Sequence, residues 1–272
     1  MKDLKHKSFI MQSTDRRNKM LHQGQFLFKY RGLLPVIFLI IGLIIFFFQV
    51  RNSALFFTEG EKHIYDLSCL VLALFGLIIR VITVGYTPKG TSGRNTTTQV
   101  ADQLNTTGLY AVTRNPLYLG NFLIWLAIVL LCQHIWFTIF FLLSFWWFYR
   151  LIIFTEETFL ATEFGAAYLT WKSNTPVFFP ALGKYQPSTR TFNWKKVLRK
   201  EKNGVAAIFV IFFLFQLTRA IADDKDFHPL TFLSDHLFWS LCAIGSGLYY
   251  LLIKVISTTT NWLENTSGTP KT

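Results

Sequence analysis

The sequence predicts an all-α polytopic membrane protein with about six transmembrane helices and cytoplasmic N- and C-termini. Three observations carry this expectation. Of 272 residues, 51% are hydrophobic and only 15% charged, against about 25% charged in globular chains, and the mean hydropathy is +0.35. Six apolar runs approach or reach the ~20 residues that cross a bilayer core of ~30 Å. Lys and Arg fall in alternate connections, the asymmetry that orients membrane proteins. This composition excludes disorder, a collagen-like repeat and a disulfide scaffold. Cys69, Cys132 and Cys242 all sit inside apolar runs and read as small buried hydrophobes.

In chain order, residues 1–32 form a basic cytoplasmic arm and residues 33–86 hold two spans, 33–50 and 67–86. Residues 87–185 form a core with a cytoplasmic loop, a hairpin of spans 117–132 and 135–154, and a tail. Only Gln133 and His134 join those two spans, so they must run antiparallel. Residues 186–272 hold a basic linker and spans 204–221 and 237–257. Of the 27 Lys and Arg, 23 lie in residues 1–31, 80–118, 150–203 and the segment from Lys254 onward; the opposite connections hold 4. The net charge of +12 is therefore topological and points to no nucleic-acid partner. Asp223, Asp224 and Asp226 face outward.

About 30 polar residues precede the first span, and no small-x-small site follows it, so the N-terminal region reads as an uncleaved anchor. The sequons at Asn95, Asn105 and Asn265 fall on the cytoplasmic side and are expected to stay unmodified. A bacterial inner membrane fits the small size. The six His are His6 and His22 in the arm, and His63, His134, His228 and His236 on the outer side. None can serve as a base at the cytoplasmic face, and no metal site is expected.

Two cytoplasmic stretches are richer than connectors need to be. Between Thr87 and Pro116, Gly90 and Gly93 permit unusual backbone angles, while Lys89 and Arg94 bring positive charge. The stretch reads either as a cradle for phosphate or carboxylate or as a solvated loop. Between Arg150 and Pro180, Glu156 and Glu157 stand where the fourth span emerges. An unpaired carboxylate pair is costly at a membrane surface, and a solvated helix end is the plain alternative. Phe164-Gly165, Tyr168, Trp171-Lys172, Pro176 and Pro180 follow, which predicts a helix, a glycine stop and an aromatic tail folded back over the hairpin. Trp136, Trp146, Trp147 and Tyr149 read as interfacial anchors and packing. Asn121 reads as a bond to a neighbouring helix or a site residue. The run Lys195, Lys196, Arg199, Lys200 and Lys202 reads as a headgroup contact, and spans five and six as scaffold or a wall of the lipid entrance.

Gly108-Leu109-Tyr110, then Thr113-Arg114-Asn115-Pro116-Leu117-Tyr118-Leu119-Gly120, closely resembles the signature of the isoprenylcysteine carboxyl methyltransferase and phospholipid methyltransferase family. Glu156-Glu157, Phe164-Gly165, Tyr168 and Pro180 follow in the order of that family's C-terminal signature. The resemblance covers about residues 80–180. It implies a membrane-embedded enzyme that uses S-adenosylmethionine, releases S-adenosylhomocysteine, and admits a membrane lipid or lipidated acceptor from the bilayer. Carried over residue by residue, Tyr110, Arg114, Asn115, Pro116, Tyr118 and Gly120 line one side of the cofactor pocket, with Tyr168 in the covering tail. Glu156 or Glu157 closes the other side and pairs with the cofactor's ammonium. Arg114 and Glu157 become the expected catalytic pair. A ligand with a sulfonium, an ammonium and a carboxylate suits this mix of carboxylate, cation and aromatic faces.

Asn115 stands where the family usually has His, and the tail near residues 174–177 keeps only Lys172 of its usual basic character. Methyl transfer from an activated donor needs chiefly alignment and desolvation of the nucleophile. An ammonium acceptor needs a base first, whereas an ionised carboxylate or phosphate oxygen needs only a cation to hold it. Arg80, Arg94 and Lys172, with Arg114, are the candidates to hold the acceptor, Arg80 having the alternative of snorkelling to the interface. The expectation therefore favours an anionic oxygen, whether carboxylate or lipid phosphate. An amine N-methyltransferase using Glu157 as base, a membrane reductase of the sterol-reductase type and a non-catalytic scaffold stay open. A transporter is disfavoured because polar residues gather at one face and no internal repeat is found.

Overall fold

The computed structural model describes residues 2–57, 59–88, 101–223 and 227–263, with residues 2–14 and 59 as backbone only. Among them the chain is helical and contains no strand, as the composition predicts. The helices are α1 (Lys2–Tyr30), α2 (Leu33–Arg51), α3 (Glu59–Tyr86), α4 (Leu109–Val112), α5 (Pro116–Leu130), α6 (Ile135–Asn174), α7 (Trp194–Asp223), α8 (Pro229–Asp235) and α9 (Leu237–Thr259). Five of these, α2, α3, α6, α7 and α9, are long and apolar enough to cross a membrane. The third expected span is the short α5, whose 15 residues rise ~22 Å.

Local chemistry fixes both ends of α5. Pro116 takes the first helical position, where its missing N–H costs nothing. Gln133 closes the other end with φ 50°, and its side-chain oxygen accepts from the backbone N–H groups of Phe56 and Phe57 at 3.0 and 3.2 Å. His134 then caps α6, its Nδ1 accepting from the Phe137 N–H at 3.1 Å. The two-residue link between the hairpin helices thus also ties down the α2–α3 connection.

Helices α3, α6 and α7 all run well past the apolar spans expected of them. The basic arm is a helix, and α1 packs on α6 where Gly24 meets it. A Cβ on Gly24 would fall 2.5 Å from the Leu151 carbonyl oxygen, so glycine lets the two backbones approach. α6 does not end where its apolar run ends but continues to Asn174, bent at Gly165 with φ 52° and ψ −128°. An L side chain is strained there, which is why the glycine marks the stop and the chain turns back.

The core is aromatic. Phe46 on α2 meets Phe215 on α7 at 5.0 Å between ring centroids, and Phe212 stacks on Trp239 of α9 at 5.5 Å. α3 and α5 cross at two glycines. A Cβ on Gly76 would lie 2.6 Å from the Gly120 carbonyl oxygen, and one on Gly120 would lie 2.7 Å from that of Gly76. Small residues at a crossing let helix backbones pack in lipid without a hydrophobic drive. Buried ion pairs tie α3 to α7 near both ends, Asp66 with Arg219 at 2.9 Å and Arg80 with Glu201 at 2.8 Å.

Candidate active site

The site lies where the start of α5, the outgoing half of α6 and the returning tail converge. The tail is stitched along the turn before α5 by a run of hydrogen bonds. Arg114 N–H donates to the Pro176 carbonyl and Ala181 N–H to that of Val112, both at 2.9 Å. The Thr113 hydroxyl donates to the Phe178 carbonyl at 3.0 Å, and the Asn115 side-chain amide to that of Val177 at 2.9 Å. Gly108, at φ 64°, donates its N–H to Gln186 at 2.8 Å. Phe178 is buried against Phe122 and Trp146. The fold-back expected of the aromatic tail is therefore present, and Asn115 is one of its fastenings.

That fold-back brings the two signature halves into contact. Arg114 Nη1 and Glu157 Oε1 are 2.6 Å apart, and Lys172 Nζ reaches Glu157 Oε2 at 2.8 Å. One helical position away, the Tyr118 hydroxyl donates to Glu156 Oε1 at 2.7 Å. Trp171 Nε1 donates to the Tyr110 carbonyl at 3.1 Å, fixing the recurved end of α6 over α4. Lys172 also stands 5.9 Å from the Tyr168 ring centroid. Burial, with the Glu156 carboxylate second, pushes the Tyr110 phenol above its usual value and keeps it protonated.

The cluster is close-set but incompletely satisfied. Arg114 Nη1 and Glu157 Oε1 form an ion pair at 2.6 Å that is out of hydrogen-bond alignment, the Tyr168 hydroxyl lies beside Arg114, and Arg114 Nε is buried without a hydrogen-bond partner. Native interiors rarely leave such groups orphaned, and each orphan needs an explanation. A zwitterionic amino-acid group would supply one, with Arg114 available to its carboxylate and Glu157 to its ammonium. The donor set therefore fits the aminocarboxypropyl end of S-adenosylmethionine.

Several expected site residues have other neighbours. Gly120 lies at the crossing with α3, where a Cβ would meet Arg80 and the Gly76 carbonyl, so this face packs against a helix. Arg80 neither snorkels nor waits for an acceptor. It donates twice to Glu201, at 2.9 and 2.8 Å, and once to Asn121 Oδ1 at 2.5 Å, so its charge is matched inside the protein. Pro116 is buried as the first residue of α5. Of the two readings of Tyr149, anchor and packing, the structure shows packing: it is buried, 4.8 Å from the Tyr118 ring centroid. Lys196 does not face headgroups. It is buried and donates to the Thr87 and Pro88 carbonyls at 2.7 and 3.1 Å, capping the negative end of α3. Arg94, with Lys89, Gly90 and Gly93, lies outside the described residues, as do Asn95, Asn265, Asp224 and Asp226.

Two charged residues were not anticipated. Arg31, between α1 and α2, acts electrostatically on Glu156, Tyr118 and Tyr149. Glu201, 2% exposed, matches Arg80 one contact away from Asn121. Arg31 reads as one more topological cation, and Glu201 is not singled out among the cations of the basic linker. The one available signal was that a lone carboxylate entering an apolar helix needs a partner.

Residues 67–167 match the family model described as phospholipid methyltransferase, in agreement with the resemblance carried by the two motifs. No curated protein and no solved structure matches the chain.

Proposed function

We propose that this protein is an integral membrane methyltransferase that moves a methyl group from S-adenosylmethionine to an anionic oxygen of a lipid or lipid-linked acceptor, with its site at the cytoplasmic face. The observation that carries this reading is the buried, unaligned Arg114–Glu157 pair, held beneath the recurved tail and short of the hydrogen bonds it needs. When bound, the donor supplies a methyl on a sulfonium: an acceptor oxygen lone pair forms the new C–O bond while the C–S pair returns to sulfur. Arg114 and Glu157 would hold the donor's carboxylate and ammonium, and Lys172 would keep Glu157 ionised and oriented. The tail from Tyr168 to Phe178 would exclude water from the reacting atoms, which strengthens these charge contacts.

Charge balance favours the anionic oxygen. Arg31, Arg114 and Lys172 are three cations against the two carboxylates Glu156 and Glu157. The donor adds a further net positive charge, and an anionic acceptor offsets the sum where an ammonium would add to it. The matched family's printed description favours a phospholipid; in the amine reading Glu157, the base expected from the sequence, is engaged by Arg114 and Lys172, and the neighbouring Glu156 would take that part.

Calorimetry on the detergent-purified chain tests the donor. Saturable binding of S-adenosylmethionine is expected, lost in Arg114→Ala and Glu157→Ala variants that remain monodisperse. A folded wild type that does not bind it defeats the proposal. Mass spectrometry of membrane lipids then separates the acceptors, since a one-methyl gain on an amine headgroup would refute the oxygen.

A further inference from the structure

Outside the Arg114–Glu157 cluster lies a cavity of about 130 Å³ between the end of α3, the segment 103–110 and the pair Thr189–Arg190. In a chain this apolar its lining is strongly polar. Five threonines, Asn105, Gln103 and Arg190 face it, and among the described residues no carboxylate does. Thr83 and Thr87 donate their hydroxyls to the Ile79 and Val84 carbonyls of α3. The hydroxyls of Thr106, Thr107 and Thr189 have no acceptor among the described residues and can donate inward. Arg190 gives one terminal nitrogen to Gln103 and pairs with no carboxylate among the described residues. Lys196 stands behind Thr87 and adds positive potential.

The position of the cavity is as informative as its lining. Tyr110 forms part of its wall and lies within electrostatic reach of Glu156, so cavity and cluster are neighbours across one side chain. Ile82 at the rim begins an exposed apolar stripe on α3 that continues through Ile78, Phe75 and Val71. Spacings of four, three and four residues put these on one helical face and give ~16 Å of lipid-facing track.

We propose that this cavity seats the phosphate of an acyl-bearing acceptor, with Arg190 as its cation and the acyl chain lying along α3 from Ile82 to Val71. An Arg fork with several hydroxyl donors suits the terminal oxygens of a phosphate monoester better than the two of a carboxylate. The assignment deepens the methyltransferase reading and rests on it for its purpose, though not for its test.

The test titrates the full chain in detergent with dihexanoyl phosphatidic acid and with uncharged dihexanoylglycerol, with and without S-adenosylmethionine. The phosphatidate should bind saturably and the uncharged lipid should not. Arg190→Gln should weaken phosphatidate binding by about tenfold or more, the loss of one charge-assisted contact, and leave the donor's affinity unchanged. The double variant Thr107→Val/Thr189→Val, which keeps Arg190, should also weaken it and decides the matter if Arg190→Gln does not fold. Unchanged phosphatidate binding in the folded variants, or equal binding of the uncharged lipid, overturns the proposal. Loss of donor binding in Arg190→Gln overturns it too, by giving the cavity to the cofactor. The phosphatidate arm without S-adenosylmethionine stands by itself, so a wild type blind to S-adenosylmethionine would sink the methyltransferase reading and leave this one standing.

Discussion

Glu201→Gln keeps the shape of a buried side chain and removes its charge, isolating the value of the α3–α7 ion pair. Arg80 gives Glu201 two bonds of 2.9 and 2.8 Å, while Asn121 offers only a neutral acceptor. Breaking a buried pair by neutralising one partner costs about 3–5 kcal/mol, because the other charge stays buried. The Arg80 side chain is 19% exposed against 2% for Glu201, so partial hydration sets the loss near the lower bound, about 3 kcal/mol. At roughly 2–4 °C per kcal/mol for a chain of this size, the melting temperature should fall by about 6–12 °C. The assay is thermal unfolding of the detergent-solubilised chain, followed by the loss of its monodisperse chromatographic peak. The double variant Arg80→Met/Glu201→Leu should recover most of the loss, since apolar replacement of a whole buried pair is often neutral. A Glu201→Gln chain that melts with the wild type, or a double variant worse than the single, refutes the reasoning.

Other perturbations probe the site's supports. Gly165→Ala places a Cβ at φ 52°, strain on the order of 1–3 kcal/mol. It should misdirect Tyr168, Trp171 and Lys172 and weaken S-adenosylmethionine binding by about tenfold; unchanged affinity would mean the bend does not set the tail. Gly120→Ala brings a Cβ to 2.6 Å from Arg80 Cγ and should cost about 1–3 kcal/mol by overpacking, with donor affinity unchanged in the folded fraction. The reverse pattern, normal melting and lost affinity, would place Gly120 in the pocket wall. Arg31→Gln and Glu156→Gln should be non-additive in melting temperature, because each alone strands a charge; strict additivity would mean the two do not interact. The Tyr110 phenol is raised above its ordinary value of 10.0, so its neutral form contributes stability below that pH and loses it at higher pH. Tyr110→Phe should therefore leave the pH dependence of donor binding unchanged through neutral and mildly alkaline pH, and a new or missing inflection there would contradict this.

Hydropathy and charge sufficed for the membrane class, the six apolar segments and the hairpin, because lipid demands continuous apolar helices whatever their partners. The motif order also singled out Arg114, Tyr118, Glu156 and Glu157 together, while Lys172, expected to hold the acceptor, instead reaches Glu157; the glycine stop at Gly165 announced the returning tail. Which groups touch was decided only in three dimensions. Arg80 looked available because its partner, Glu201, lies 121 residues away in a stretch that reads as basic linker. The sequence offers Gly120 as a ligand-side glycine and cannot show that Gly76 faces it. Arg31 lay outside every motif, and the cavity at Arg190 is assembled from three separate segments. Composition and local periodicity are properties of one stretch of chain, whereas the pairing of buried charges and the approach of backbones depend on helices that meet only after folding.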